Sequence, residues 1–181
     1  DMRRYCYHVA GAVGVMMAVV MGVAPGDEDT LDRACDLGLA FQLANIARDV
    51  VPDAQAGRCY LPAEWLEEAG LATGQLADPL ALPAIAPLAA RLVEMARPYR
   101  ASARIGAARL PGRSRLAVLA ADAIYGTIGE KVLALGTRAW DQRVRVSGGG
   151  KLVLLGQAML RSLRAPAPEP RGVLWTRPRQ S

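Results

Sequence analysis

The chain is poor in the residues that build many catalytic centres. Its 181 residues include one histidine, His8, one phenylalanine, Phe41, and three cysteines, Cys6, Cys35 and Cys59. A lone histidine argues against a histidine-based metal centre. Three scattered thiols supply neither a disulfide framework nor zinc-ligand spacing, and they suit a reducing cytoplasm. Aromatics make up 5% of a chain that is 52% hydrophobic. The apolar mass is therefore Ala, Leu and Val, which favours helix. No stretch alternates in the manner of a half-buried strand, so the fold class is all-α. The net charge is +5, mostly from arginine. That balance suits a phosphate-bearing or membrane-surface partner, and no basic run is interleaved with stacking aromatics as nucleic-acid binding would require.

Turn residues divide what remains into long helices. The sequence predicts helices over about 2–23, 28–51, 84–106, 113–142 and 150–164, with a short one starting near Pro62 and ending at Gly70. The run "SGGGK" reads as a flexible break, and Pro52 as the end or a kink of the second helix. Residues 1–165 read as the C-terminal part of a single domain, and the Pro- and Arg-rich 166–181 as a disordered tail. Residues 5–24 carry no formal charge and match the length of a bilayer span. A core helix surrounded by others is equally apolar, and His8, two tyrosines and three glycines favour it. The opening "DMRRYCYHVAG" reads as mid-helix, so the chain is expected to be a piece of a longer protein.

The most informative segment is "FQLANIARDVVPDAQAGRCYLP", residues 41–62. Asn45, Asp49 and Asp53 recur every fourth residue, which stacks them one turn apart on a helix, with Gln42 and Arg48 flanking the line. Two carboxylates and an amide on one stripe suit a hard divalent cation, which takes oxygen ligands and shares itself with substrate phosphates. Arg48 and Arg58 are then placed to grip the remaining phosphate oxygens. An isolated D-x-x-x-D is common on solvated helices. Here, however, "LGLAFQLANIA" is apolar apart from its two amides, so the polar groups line a cavity or are bonded within the core.

"YCYHVAGAVG" at 5–14, "QLANIARD" at 42–49 and "RCYLP" at 58–62 together resemble the squalene/phytoene synthase family, and within it the bacterial phytoene synthases. Weaker echoes lie at 109–129 and in "AWDQR" at 139–143. The resemblance extends to about residue 165. It implies an isoprenoid synthase bundle around a central apolar cavity, with N-terminal helices and a first acidic motif upstream of Asp1. It implies head-to-head condensation of two geranylgeranyl diphosphates into phytoene through a cyclopropyl diphosphate, with Mg²⁺ (Mn²⁺ as a substitute) as cofactor. By the same resemblance Asn45, Asp49 and Asp53 are metal ligands. Gln42, Arg48, Arg58 and Tyr125 contact substrate, while Tyr5 and Tyr60 belong with Arg48, Asp49 and Asp53 at the reaction centre. Pro52 departs from the family, which commonly has an acidic residue there, and a bend at that point would swing Asp53 off the line.

Carrying half of the ion cage, the chain alone is expected to be inactive or nearly so. The alternatives are squalene or dehydrosqualene synthesis, a degenerate paralogue that binds prenyl diphosphate without turnover, and a non-catalytic helical membrane or scaffold protein. A hydrocarbon product implies a cytoplasmic protein touching the membrane surface, helped by Arg161, Arg164, Arg171, Arg177 and Arg179.

Overall fold

A computed structural model describes residues 1–164, 166, 167 and 169–179, and all regular structure among them is helical. The first helix, α1, is α-helical over Met2–Cys6, widens into a π-helical turn at Tyr7–Gly11 and resumes over Ala12–Val20. Helices α2 (Glu28–Gln55), α3 (Ala63–Glu68), α4 (Leu82–Ala107), α5 (Gly112–Leu135) and α6 (Gly148–Ser162) follow.

Helix α2 is the axis of the molecule. Its 28 residues extend about 42 Å at helical rise. Asp27 caps it by accepting a hydrogen bond from the Thr30 backbone N–H at 3.1 Å, with Glu28 and Asp29 in the first turn complementing the dipole. Leu31, Cys35, Leu39, Leu43, Ile46 and Val50 are buried in the core, as their three- and four-residue spacing predicts. Helix α4 packs along the same axis and contributes Ile85, Leu88, Leu92 and Tyr99 to this core. It lies in Pro79–Ala107, a stretch long and apolar enough to cross a bilayer by length and composition alone. The 5–24 segment instead forms α1, one side of which lies against α2. A Cβ on Gly38 would meet the Ala10 carbonyl oxygen at 2.3 Å, and one on Gly14 the Ala34 carbonyl oxygen at 2.4 Å. The two glycines let the helix backbones touch.

Several boundaries differ from the sequence reading. Pro52 does not end α2, which continues to Gln55. Proline deletes a single backbone donor in the last turn, and the Arg58 N–H bonds back to the Asp53 carbonyl at 2.8 Å to close the helix. The "SGGG" run is no break either, because Ser147 caps α6 by accepting from the Gly150 N–H at 3.1 Å. Helix α5 stops at Leu135, seven residues early, because Gly136 has a φ of +54° and starts a 3₁₀ turn.

The tail also departs from expectation. Residues 169–179 lie against the bundle as a strap: Arg171 pairs with Asp36 at 2.6 Å, Arg177 with Glu28 and Asp32, and Arg179 with Asp32 at 3.1 Å. The Arg177 Nε and Asp32 Oδ1 approach to 2.9 Å but are misaligned for a hydrogen bond. Trp175 packs against Tyr7, with ring centroids 5.7 Å apart. Ala165, Pro168, Gln180 and Ser181 fall outside the described residues.

Candidate active site

The residues singled out in 41–62 meet. Tyr5, Gln42, Asn45, Arg48, Asp49, Asp53, Arg58 and Tyr60 all line one polar pocket of about 300 Å³. Helix α2 supplies its floor, α1 brings Tyr5 to one side, and the turn after Gly57 brings back Arg58 and Tyr60. The rings of Tyr5 and Tyr60 stack at 5.2 Å. Burial first, then a hydrogen bond with Tyr60, raises the Tyr5 hydroxyl pKa above its ordinary value. Despite Pro52, Asp53 still faces this pocket.

Charges in the pocket are paired differently from the sequence reading, which assigned Arg48 and Arg58 to substrate phosphate. Arg48 folds back onto its neighbour Asp49 through both oxygens, with Nε at 2.9 Å from Oδ1. Arg143, from the loop after α5, reaches the same carboxylate at 3.3 Å. Arg58 grips Asp53 at 3.0 Å. Burial pushes the Asp49 carboxyl up, but Arg48 and then Arg143 outweigh it and hold the pKa below the usual carboxylate range. The Arg48 guanidinium is raised in turn, chiefly by its bond to Asp49. Three guanidiniums, Arg48, Arg58 and Arg143, face two carboxylates, Asp49 and Asp53. The surplus of one positive charge suits an anionic ligand.

Among the described residues no group of three or more His, Cys, Asp or Glu side chains is placed to hold a metal ion. The donor chemistry at this stripe still fits Mg²⁺, which is usually held by one or two carboxylates together with substrate phosphates. Asn45, Asp49 and Asp53 are all oxygen donors on one wall of the pocket.

Tyr125 stands apart from this pocket. It lines a second, apolar cavity of about 430 Å³ together with Val13, Met17, Leu37, Phe41 and Leu110. Its ring stacks on Phe41 at 4.0 Å. Gln42 and Asn45 line both spaces, so the polar pocket and the apolar cavity adjoin along α2. Sequence reasoning assigned Phe41 and Arg143 no part in the site. Phe41 is the only phenylalanine and lies beside Gln42. Arg143 closes the "AWDQR" echo, but nothing local says that it crosses to Asp49.

The family model described as squalene/phytoene synthase matches residues 1–149. A 15-cis-phytoene synthase of Enterobacter agglomerans is 54% identical over 182 residues, covering 98% of this chain and 61% of that protein. One from Pantoea ananas is likewise 54% identical, covering 98% and 58%. Phytoene synthase 2, chloroplastic, of Solanum lycopersicum is 36% identical, covering 92% and 55%. A crystal structure of a dehydrosqualene synthase in complex with ligand superimposes with a TM-score of 0.77 at 32% identity, covering 87% of this chain and 55% of that one. The chain thus spans between 58% and 61% of the two bacterial enzymes.

Proposed function

Because the chain belongs to the squalene/phytoene synthase family, we propose that the whole protein joins two geranylgeranyl diphosphates head to head into phytoene and releases diphosphate. The observation that carries this reading is the junction of a cation-rich polar pocket with a long apolar cavity at Gln42 and Asn45. An amphiphile with an anionic head and a polyprenyl tail matches both spaces at once. The 54% identity to named phytoene synthases, against 32% to the dehydrosqualene synthase, favours phytoene over the shorter product.

In this reading Arg48, Arg58 and Arg143 bind the diphosphate oxygens, and they are already oriented by Asp49 and Asp53. Asn45, Asp49 and Asp53 would hold Mg²⁺, which neutralises charge on the departing diphosphate when bound. The stacked Tyr5–Tyr60 and Phe41–Tyr125 pairs present π faces to cationic character on the prenyl carbons. The apolar cavity excludes water from the reacting carbons.

The test is diphosphate release and product mass with the full-length protein, geranylgeranyl diphosphate and Mg²⁺. Phytoene, dependent on the metal and reduced at least about a hundredfold in Asp49→Asn, is the expected result. Release of diphosphate without a hydrocarbon of that mass overturns it.

The protein is further proposed to be cytoplasmic and peripheral to the membrane. Helix α6 exposes Leu152, Val153, Leu155, Met159 and Leu160, with Lys151 and Arg161 on the same helix, a composition suited to an anionic lipid surface. Arg171, Arg177 and Arg179 support this less than the sequence implied, since they are paired with carboxylates of α2. Co-sedimentation with anionic but not neutral vesicles is the expected outcome; absence of vesicle binding refutes it.

A further inference from the structure

The apolar cavity runs along α2 from Asn45 to Thr30, about 22 Å at helical rise. Its far end holds a cation. Arg33 lines the cavity yet is 3% exposed, and each of its three guanidinium nitrogens is hydrogen-bonded. Nε donates to Asp29 at 2.9 Å, Nη1 to the Ser102 Oγ and carbonyl at 3.3 and 3.4 Å, and Nη2 to the Glu169 carbonyl at 2.7 Å. With the charged tip so anchored, the methylene stem serves as the wall. The stem fits only because residue 106 is glycine: a Cβ there would lie 2.7 Å from the Arg33 Cβ.

One of these acceptors, the Glu169 carbonyl, belongs to the strap. The strap is fastened two residues later, where Arg171 donates to both oxygens of Asp36 and to the Trp175 carbonyl. Asp36 is itself buried and accepts from the Ser102 hydroxyl at 2.6 Å. Ser102 thus touches both Asp36, the carboxylate that holds the strap's Arg171, and the arginine of the wall. Release of the strap would leave the Arg33 Nη2 without its backbone acceptor in a buried place, a costly state that the side chain relieves by moving.

We propose that the C-terminal strap is a positioning element that fixes Arg33 as the far wall of the apolar cavity, and thereby sets the longest polyprenyl chain accepted. This rests on the reading of that cavity as the prenyl site.

The test uses the full-length protein and compares kcat/KM for farnesyl, geranylgeranyl and geranylfarnesyl diphosphates, and dissociation constants for the three parent alcohols by equilibrium dialysis. Four variants are compared with the wild type: Arg171→Ala with Arg177→Ala, a chain ended after Arg164, Arg33→Ala and Arg33→Lys. The first three are expected to move both preference ratios toward the longest chain by about tenfold or more, while Arg33→Lys keeps the wild-type order. Should Arg33→Ala not fold, the double arginine variant decides, because it alters no cavity-lining residue. Unchanged ratios in a folded variant, or equal losses on all three chains, overturn the proposal. If the wild type releases no diphosphate from any substrate, the proposed reaction fails, and the alcohol ratios still decide the role of the strap.

Discussion

Two arginines at Asp49 convert a candidate metal ligand into the centre of an ion-pair cluster. Its native pKa lies below the unfolded value of about 3.9, so its contribution to stability is present above that pH and is lost as pH falls through the native value. Asp49→Asn should therefore be less stable than the wild type at pH 7, and the gap should close below about pH 4 in acid unfolding followed by circular dichroism. A second residue-scale expectation concerns the thiols. Burial pushes Cys6 and Cys35 up to about 12, whereas Cys59 is half-buried beside the polar pocket. Iodoacetamide at pH 8 should modify the native protein once, at Cys59, as read by peptide mass. At this scale the stripe was legible because helical periodicity alone places 42, 45, 49 and 53 together. The pairing was not. Adjacent helical residues do not face each other, and Arg143 arrives from 94 positions away.

Among elements, contact between α1 and α2 depends on absent side chains. Gly38→Ala must drive a methyl group into the Ala10 carbonyl, so a large loss of stability is expected, about 2 kcal/mol or more, by thermal melting. Gly156 on α6 has nothing within 4 Å of its missing Cβ, and Gly156→Ala should stabilise by about 0.5–1 kcal/mol. Pro52→Ala restores a donor to the last turn of α2 and is expected to raise the melting temperature, by up to about 3 kcal/mol in stability. Helix existence was legible from turn residues and apolar spacing. The ends were not, because they depend on backbone geometry: Gly136 turns left-handed, and Ser147 recruits three glycines into a first helical turn. The π-helical turn at Tyr7–Gly11 left no trace in the periodicity of a largely apolar, uncharged run.

For the molecule as a whole, one side of α1 stays uncovered: Val9, Val13, Met16, Met17 and Val20 are exposed. An apolar band of this kind binds hydrophobic dyes and promotes association. Residues 1–181 alone should brighten anilinonaphthalene sulfonate and scatter light as oligomers, while a dye response no greater than that of a compact globular control would contradict it. The tail shows why composition can mislead at this scale. Proline and arginine argue against packing, yet Asp32 and Asp36, buried on α2, supply the partners that order Arg171 and Arg177. Nothing within the tail announces those partners. The seam at Gln42 and Asn45 has its own consequence. Both side chains are neutral amides, so they can border oil on one flank and ions on the other without changing charge. A ligand with two unlike ends is thereby given a polarity: it threads in one direction only, and a reversed molecule strands its head in hydrocarbon and its tail among arginines.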